Sequence, residues 1–170
     1  MVLPLSGAAL LSLFGLVSAT KCPTDGIRNY FANHDKTKCF FFLDHPLEFF
    51  DSNYLCGDNG GMLASIGTPE DNKIIAQHSS GHAKAWIGGV DYLDLGNWYW
   101  LDDSHFAYWN WGPDEPKHFP LHDCAAIDTV TGFWENHLCN KKMNALCQVI
   151  SIPDSSKFMI TVLQSVQKVL

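Results

Sequence analysis

The sequence predicts an α+β domain closed by disulfides. Three observations carry that prediction. Two helical periodicities precede residue 80, short aromatic-rich strands follow it, and six cysteines lie downstream of an export-type leader.

The leader comes first. Residues Leu3 to Val17 are apolar or small, and no charged side chain occurs before Lys21. Val17-Ser18-Ala19 offers small residues where a signal peptidase reads. The first few residues lack Lys or Arg, which departs from the usual pattern. The apolar run falls short of the roughly 20 residues that span a bilayer, and no later segment is long and apolar enough to span one. Residues 1–19 are therefore expected to be a signal peptide, 20–150 a folded domain and 151–170 a tail. The expected product is secreted and extracellular, with no membrane span.

The cysteines are Cys22, Cys39, Cys56, Cys124, Cys139 and Cys147. An even number in an exported chain points to disulfides, because that compartment is oxidising. Zinc held by these cysteines would want close pairs, and there are none. Six cysteines allow 15 pairings, and counting alone does not choose among them.

The elements follow in order. Lys38 to Leu43 reads as a strand. Pro46 suits the first position of a helix and Glu48 its first turn, with Leu47, Phe50, Tyr54 and Leu55 at helical spacing and Gly57, Gly60 and Gly61 ending it. Thr68-Pro69-Glu70-Asp71 opens a second helix running to about His78. Thr68 can cap its free amides, and the acids favour its positive end. Ala85 to Gly89 and Asn97 to Leu101 are short strands. Residues 102–123 hold three prolines and mixed polar residues, so they form a long irregular segment of the kind that carries function on a rigid scaffold. Strands return at Cys124 to Asp128, around Phe133-Trp134, and at Ala145 to Ile150. After Pro153-Asp154-Ser155-Ser156, Met159, Leu163, Val166 and Leu170 share one helical face. That pattern fits a short docking or oligomerising helix, and equally a frayed tail.

Charge and motifs exclude several functions. The net charge is −7, with 18 acidic and 11 basic residues, and the basic ones form no stripe. Nucleic acid is not expected as a partner. No GxSxG, HExxH or phosphate-binding loop occurs, so the chain does not read as an enzyme. The 13% aromatic content fits a β-rich core with some aromatic surface left for a ligand.

A longer set of markers then appears. Cys56 is followed by Gly60-Gly61-Met62-Leu63-Ala64-Ser65-Ile66, then Glu70, Asn72 and Trp86-Ile87-Gly88-Gly89. Gly96-Asn97-Trp98-Tyr99-Trp100, Asp102-Asp103-Ser104 and Tyr108-Trp109-Asn110-Trp111-Gly112 come next. Glu115-Pro116, Asp123-Cys124-Ala125-Ala126-Ile127, Trp134, Cys139 and Leu146-Cys147-Gln148 complete the series. In this order and spacing, the stretch from Cys22 to Val149 resembles the C-type lectin-like domain family in its long form. The resemblance implies two helices, antiparallel sheets and a long loop region. It also implies three disulfides: Cys56–Cys147, Cys124–Cys139 and Cys22–Cys39. The Trp residues 86, 98, 100 and 111 are expected in the core and Trp109 on the surface.

The resemblance also implies a site. Sugar-binding members hold one calcium beside the long loop through a Glu-Pro-Asn or Gln-Pro-Asp motif, an acid two residues before the next Cys, and an Asn-Asp pair after a Trp. Here those positions read Glu115-Pro116-Lys117, His122 before Asp123-Cys124, and Glu135-Asn136 after Trp134. Calcium wants about 6 to 8 oxygen ligands, several of them charged. Lys117 has no lone pair to give. Glu115, Asp123 and Glu135 are the ligands left if calcium binds, and the chemistry argues against it. Lys117 is expected to stand in for the metal by pairing with Glu115 and Glu135, the alternative being a solvated lysine and a lost site. His118, His122 and His137 with Asp123 offer a zinc or pH-sensing reading, weighed against surface histidines without a role. Asp102, Asp103 and Asp114 read as auxiliary calcium ligands or, more simply, as turn residues that cap amides.

The expected function is carbohydrate recognition by a secreted protein. The competing class is a calcium-independent module for a protein, lipid or mineral surface.

Overall fold

The computed structural model describes residues 20–153 except 80, 82 and 92–95. The expected signal peptide, residues 1–19, and the expected tail helix beyond Pro153 lie outside the described residues. Lys21–Ile152 form one compact unit. No helix among the described residues is long and apolar enough to cross a membrane.

In chain order the elements are β1 (Thr20–Lys21), β2 (Phe31–Ala32), β3 (Lys38–Leu47), α1 (Phe49–Asp58), β4 (Met62–Leu63) and α2 (Pro69–Gln77). Then come β5 (Lys84–Val90), β6 (Tyr99–Trp100), β7 (Cys124–Asp128), β8 (Trp134–His137), β9 (Met143–Ile150) and β10 (Ile152–Pro153). The main sheet runs β2-β3-β9-β5-β7-β8, with β4 on β9 and β6 on β5, while β1 and β10 pair separately. The class is α+β, as expected. One departure sits at the centre: β5 and β9 are parallel, with Ala85 opposite Asn144 and Trp86 opposite Ala145, in an otherwise antiparallel sheet.

The sheet is buried on both faces, which explains its unbroken apolar runs. Neighbouring residues point to opposite sides of a strand. Phe41, Trp86, Ala126 and Ala145 face a core that includes Phe49 and Cys56 of α1. Phe40, Ile87, Ile127 and Leu146 face a second core with Ile75 of α2, Trp100 and Trp134. Phe106, Tyr108 and Trp111 of the irregular segment pack against this second core, with the Tyr108 and Trp111 rings edge-on to Trp134 at 5.5 and 5.7 Å. The long segment is thus anchored at its N-terminal half by aromatic burial.

Close approach explains two glycines. A Cβ on Gly61 would lie 2.0 Å from the Gln148 carbonyl oxygen, and one on Gly88 would lie 2.8 Å from that of Leu63. The backbone of 61–64 therefore lies flat between β9 and β5, where Ala64 N–H donates to Leu146 O and Gly88 N–H to Ala64 O.

All three disulfides form as the resemblance implied: Cys22–Cys39, Cys56–Cys147 and Cys124–Cys139. The second helix also matches. Thr68 Oγ1 accepts from Asp71 N–H at 3.0 Å, and Pro69 opens the first turn. The first helix differs. Pro46 stays at the end of β3, where Leu47 still pairs with Met143, and the helix starts at Phe49 with Glu48 as an N-cap that makes no side-chain cap bond. Its buried face is Phe49, Ser52 and Cys56, so Phe50 and Tyr54 face outward, 55% and 73% exposed. The tether from Cys56 to β9 and the edge-on packing of Phe49 on Trp86 fix that rotation. Apolar spacing alone could not.

Trp86 and Trp100 are buried and Trp98 and Trp111 partly so, while Trp109 is exposed.

Candidate ligand-binding site

The C-terminal half of the long segment builds the candidate site along the outer edge of β8. That edge is covered. Trp134 N–H donates to Asn110 O at 2.8 Å, and Gly112 N–H donates to Trp134 O at 2.9 Å. The main chain then turns away at Gly112–Glu115, where Asp114 takes a left-handed φ of 61° and Glu115 N–H bonds Gly112 O. A cis Glu115–Pro116 bond follows. From here side chains continue what the ladder began. Asn136 N–H donates to Glu115 Oε2 at 3.2 Å.

Asn136 lies 2% exposed at the centre. Its Oδ1 accepts from Lys117 N–H at 2.7 Å, and its Nδ2 donates to Lys117 O and to His122 O, each at 2.7 Å. An exposed stretch runs between those two anchors, with Phe119 57% and Leu121 71% exposed. His122 N–H closes a turn onto Phe119 O, and the Phe119 and His122 rings meet edge-on. Leu121 holds a left-handed φ of 68°.

Glu115 is nearly buried, and its Oε1 is paired with Lys117 Nζ. That hydrogen bond raises the Lys117 pKa above its ordinary value against an opposing effect of burial, with the charges of Glu115, Glu135 and Asp114 adding to the rise. Asp114, Glu115, Pro116, Lys117, His118 and Phe119 line an open groove of about 530 Å³.

The structure brings Glu115, Lys117, His122 and Asn136 together. Glu135 is elsewhere. Residues 135 and 136 are neighbours on β8, so their side chains leave opposite faces. Glu135 Oε2 accepts from Lys84 Nζ at 2.6 Å and meets His137 Nε2 at 3.0 Å. Burial pushes the Glu135 pKa up, but the Lys84 bond and charge, with His137, bring it down overall. The expected three-way pairing of Lys117 with both acids is therefore replaced by two separate pairs.

Asp123 has Asp91 and His122 as its charged neighbours. Burial and the nearby Asp91 raise its pKa, against a lowering by His122. Asp102 serves the scaffold. Its Oδ2 accepts from Ser65 Oγ and from Gln148 Nε2, with Lys38 Nζ at 3.4 Å, while its Oδ1 accepts from Ser104 N–H at 3.0 Å. It is thus a turn residue that also pins the start of the long segment to the core. The three histidines do not converge, since His137 lies on the Glu135 face of β8 and His118 lines the groove.

Calcium does not fit this arrangement. Both Glu115 oxygens are engaged, the Asn136 oxygen accepts from Lys117 N–H, and Glu135 is turned away. No group of three or more His, Cys, Asp or Glu side chains able to hold a metal occurs among the described residues. Sequence reasoning missed Lys84 and Lys38, and nothing local marked them, because each partner lies far along the chain.

Comparison with known proteins agrees with the fold. The model of the lectin C-type domain matches residues 45–149. The galactose-specific lectin nattectin of Thalassophryne nattereri is 34% identical over 119 residues, covering 67% of this chain and 75% of that protein. The low affinity immunoglobulin epsilon Fc receptor of Homo sapiens is 34% identical over 109 residues, 64% of this chain but only 33% of the receptor. The solved mouse scavenger receptor C-type lectin carbohydrate-recognition domain superposes with a TM-score of 0.65 at 29% identity, covering 72% of this chain and 93% of that one. A calcium-independent type II antifreeze protein shares the fold with a TM-score of 0.70 at 24% identity, covering 79% and 98%.

Proposed function

The chain belongs to the C-type lectin domain family, and from that premise we propose that it is a secreted carbohydrate-recognition protein whose sugar site needs no calcium. The observation that carries the reading is the groove at Glu115–Phe119. One side offers the exposed Lys117 ammonium, held in place by Glu115 and able to donate to ring hydroxyls. The other side offers the exposed Phe119 ring, a surface for the apolar C–H face of a pyranose. Galactose is the first sugar to try, because the relative nattectin is named for that specificity. Extracellular location fits the three disulfides, which persist in oxidising compartments.

The test is retention on galactose and mannose resins, in calcium and in chelator. Retention that survives chelator and is lost in both Lys117→Met and Phe119→Ala supports the reading. Retention only in calcium, or none on any hexose, overturns it.

A second reading has its own support. The Glu115 carboxylate is already satisfied by Lys117 and by the Asn136 amide. A loop whose polar groups are answered internally also suits a calcium-independent module that contacts a protein, lipid or mineral surface through Phe119 and Leu121.

A further inference from the structure

We propose that Asn136 is a positioning residue that holds the recognition loop folded without any metal, so that segment 117–122 is preformed at every calcium concentration. The inference takes the loop to be the recognition surface, as proposed above, but its test reads loop order and not sugar binding.

The geometry is that of a staple. One buried side chain reaches both ends of the segment. It bonds the N–H and the C=O of Lys117 reciprocally, as a strand residue would, and it takes the His122 carbonyl as well. Its own backbone N–H reaches Glu115. The stretch between the two anchors is solvent-facing, and the bonds described within it are the turn from His122 N–H to Phe119 O and the contact of His122 Nδ1 with Pro120 O at 3.3 Å. Leu121 adopts a backbone conformation that a bulky residue rarely takes unless its surroundings impose it. The Asn136 bonds on either side are what impose it.

Only an amide does this. An amide donates two hydrogen bonds and still accepts, whereas an ionised carboxylate only accepts. Asn136→Asp is nearly isosteric. It keeps the bond from Lys117 N–H but turns a negative oxygen toward the Lys117 and His122 carbonyls. A cation would reconcile those groups, but the nearby ammonium of Lys117 is engaged by Glu115. The loop would then open at its base while the disulfide-tied sheet beneath stays closed.

The experiment is hydrogen exchange read by mass spectrometry on the mature protein, in chelator and in millimolar calcium, with rates normalised to intrinsic exchange. In wild type, amides 117–122 exchange at the same rate in both. In Asn136→Asp in chelator they exchange at least tenfold faster at pH 7, while peptides of β5 and β9 do not change. Lowering the pH toward 4 brings the excess exchange back down, because a protonated Asp regains one donor. That pH profile would not arise from a general loss of packing. Should the Asp variant fail to fold, Asn136→Ala, which deletes the three side-chain bonds without adding charge, carries the same comparison. Wild-type protection that appears only with calcium, or an unchanged 117–122 segment in the variant, overturns the proposal. Normal protection with no sugar retention overturns the carbohydrate reading alone.

Discussion

Lys84 is the cation that answers Glu135, its Nζ lying 2.6 Å from Glu135 Oε2 across 51 residues of sequence. The two charges sit on the face of the sheet opposite Asn136, so the ion pairs of β8 are divided between its two sides. Lys117 and Glu115 form the other pair, two residues apart.

This division predicts unequal effects of two similar substitutions. Lys117 is 43% exposed, so Lys117→Met should change stability by about 0 to 1 kcal/mol, as exposed pairs do. Glu115 keeps its bond from Asn136 N–H in that variant. Lys84→Met leaves Glu135 with His137, which holds its proton weakly, as its described partner and should cost about 1 to 2 kcal/mol. Urea melts of the three proteins check the ranking. A Lys117→Met variant less stable than Lys84→Met would contradict it.

His137 gives a pH dependence. Burial lowers its pKa most, Lys141 and Lys84 add to the lowering, and Glu135 opposes them. The folded state therefore binds this proton less readily than the unfolded chain, whose histidine titrates near 6.5. Stability from this group is complete above that value and is lost as pH falls below it. His137→Gln should flatten the slope of stability between about pH 5 and 7. An NMR titration should also show the His137 pKa rising in Lys84→Met, because a repelling cation is gone and Glu135 is freed.

Asp102 contributes strongly to the acid limb, beside Asp25, Asp35, Asp128 and Glu135, whose carboxyls are also held low. Burial alone would raise its pKa, but bonds from Ser104, Ser65 and Gln148 outweigh it and hold the carboxyl far below the usual range. The sign is the opposite of an acid merely buried. The contribution is present above the unfolded pKa near 3.9 and disappears as pH falls below it. Asp102→Asn should cost about 2 to 3 kcal/mol at pH 7, because Lys38 and Ser65 lose a charged partner. Its thermal unfolding should vary less between pH 4 and 2 than that of wild type. Equal acid sensitivity in the two proteins would remove Asp102 from this role.

Gly61 tests the packing. Any side chain there meets the Gln148 carbonyl at 2.0 Å and Val149 Cγ1 at 2.8 Å, so β9 must move. Gly61→Ala should destabilise by at least about 2 to 3 kcal/mol. Gly67→Ala, where nothing lies within 4 Å, is the control and should be nearly silent. Thermal melts of the pair decide it.

The sequence by itself determined the class of fold, the family, the capped start of α2 at Thr68 and the place of the irregular segment. These depend on local chemistry: a hydroxyl before a proline, or a run of prolines and polar residues between strands. It also placed Glu115, Lys117, His122 and Asn136 near one another, through the family's marker order. The rotation of α1 lay beyond it, because Leu47, Phe50, Tyr54 and Leu55 have helical spacing whether or not they face the core. Only the Cys56 tether and the Trp86 contact choose the face. The partner of Glu135 lay beyond it too. Adjacent residues on a strand face opposite ways, so Glu135 and Asn136, read as one pair, belong to different surfaces. Lys84 reaches Glu135 because β7 sets β5 and β8 two strands apart in the sheet. Strand register decides which distant charges meet, and register is settled by burying both faces of the whole sheet, which no short stretch of sequence can express.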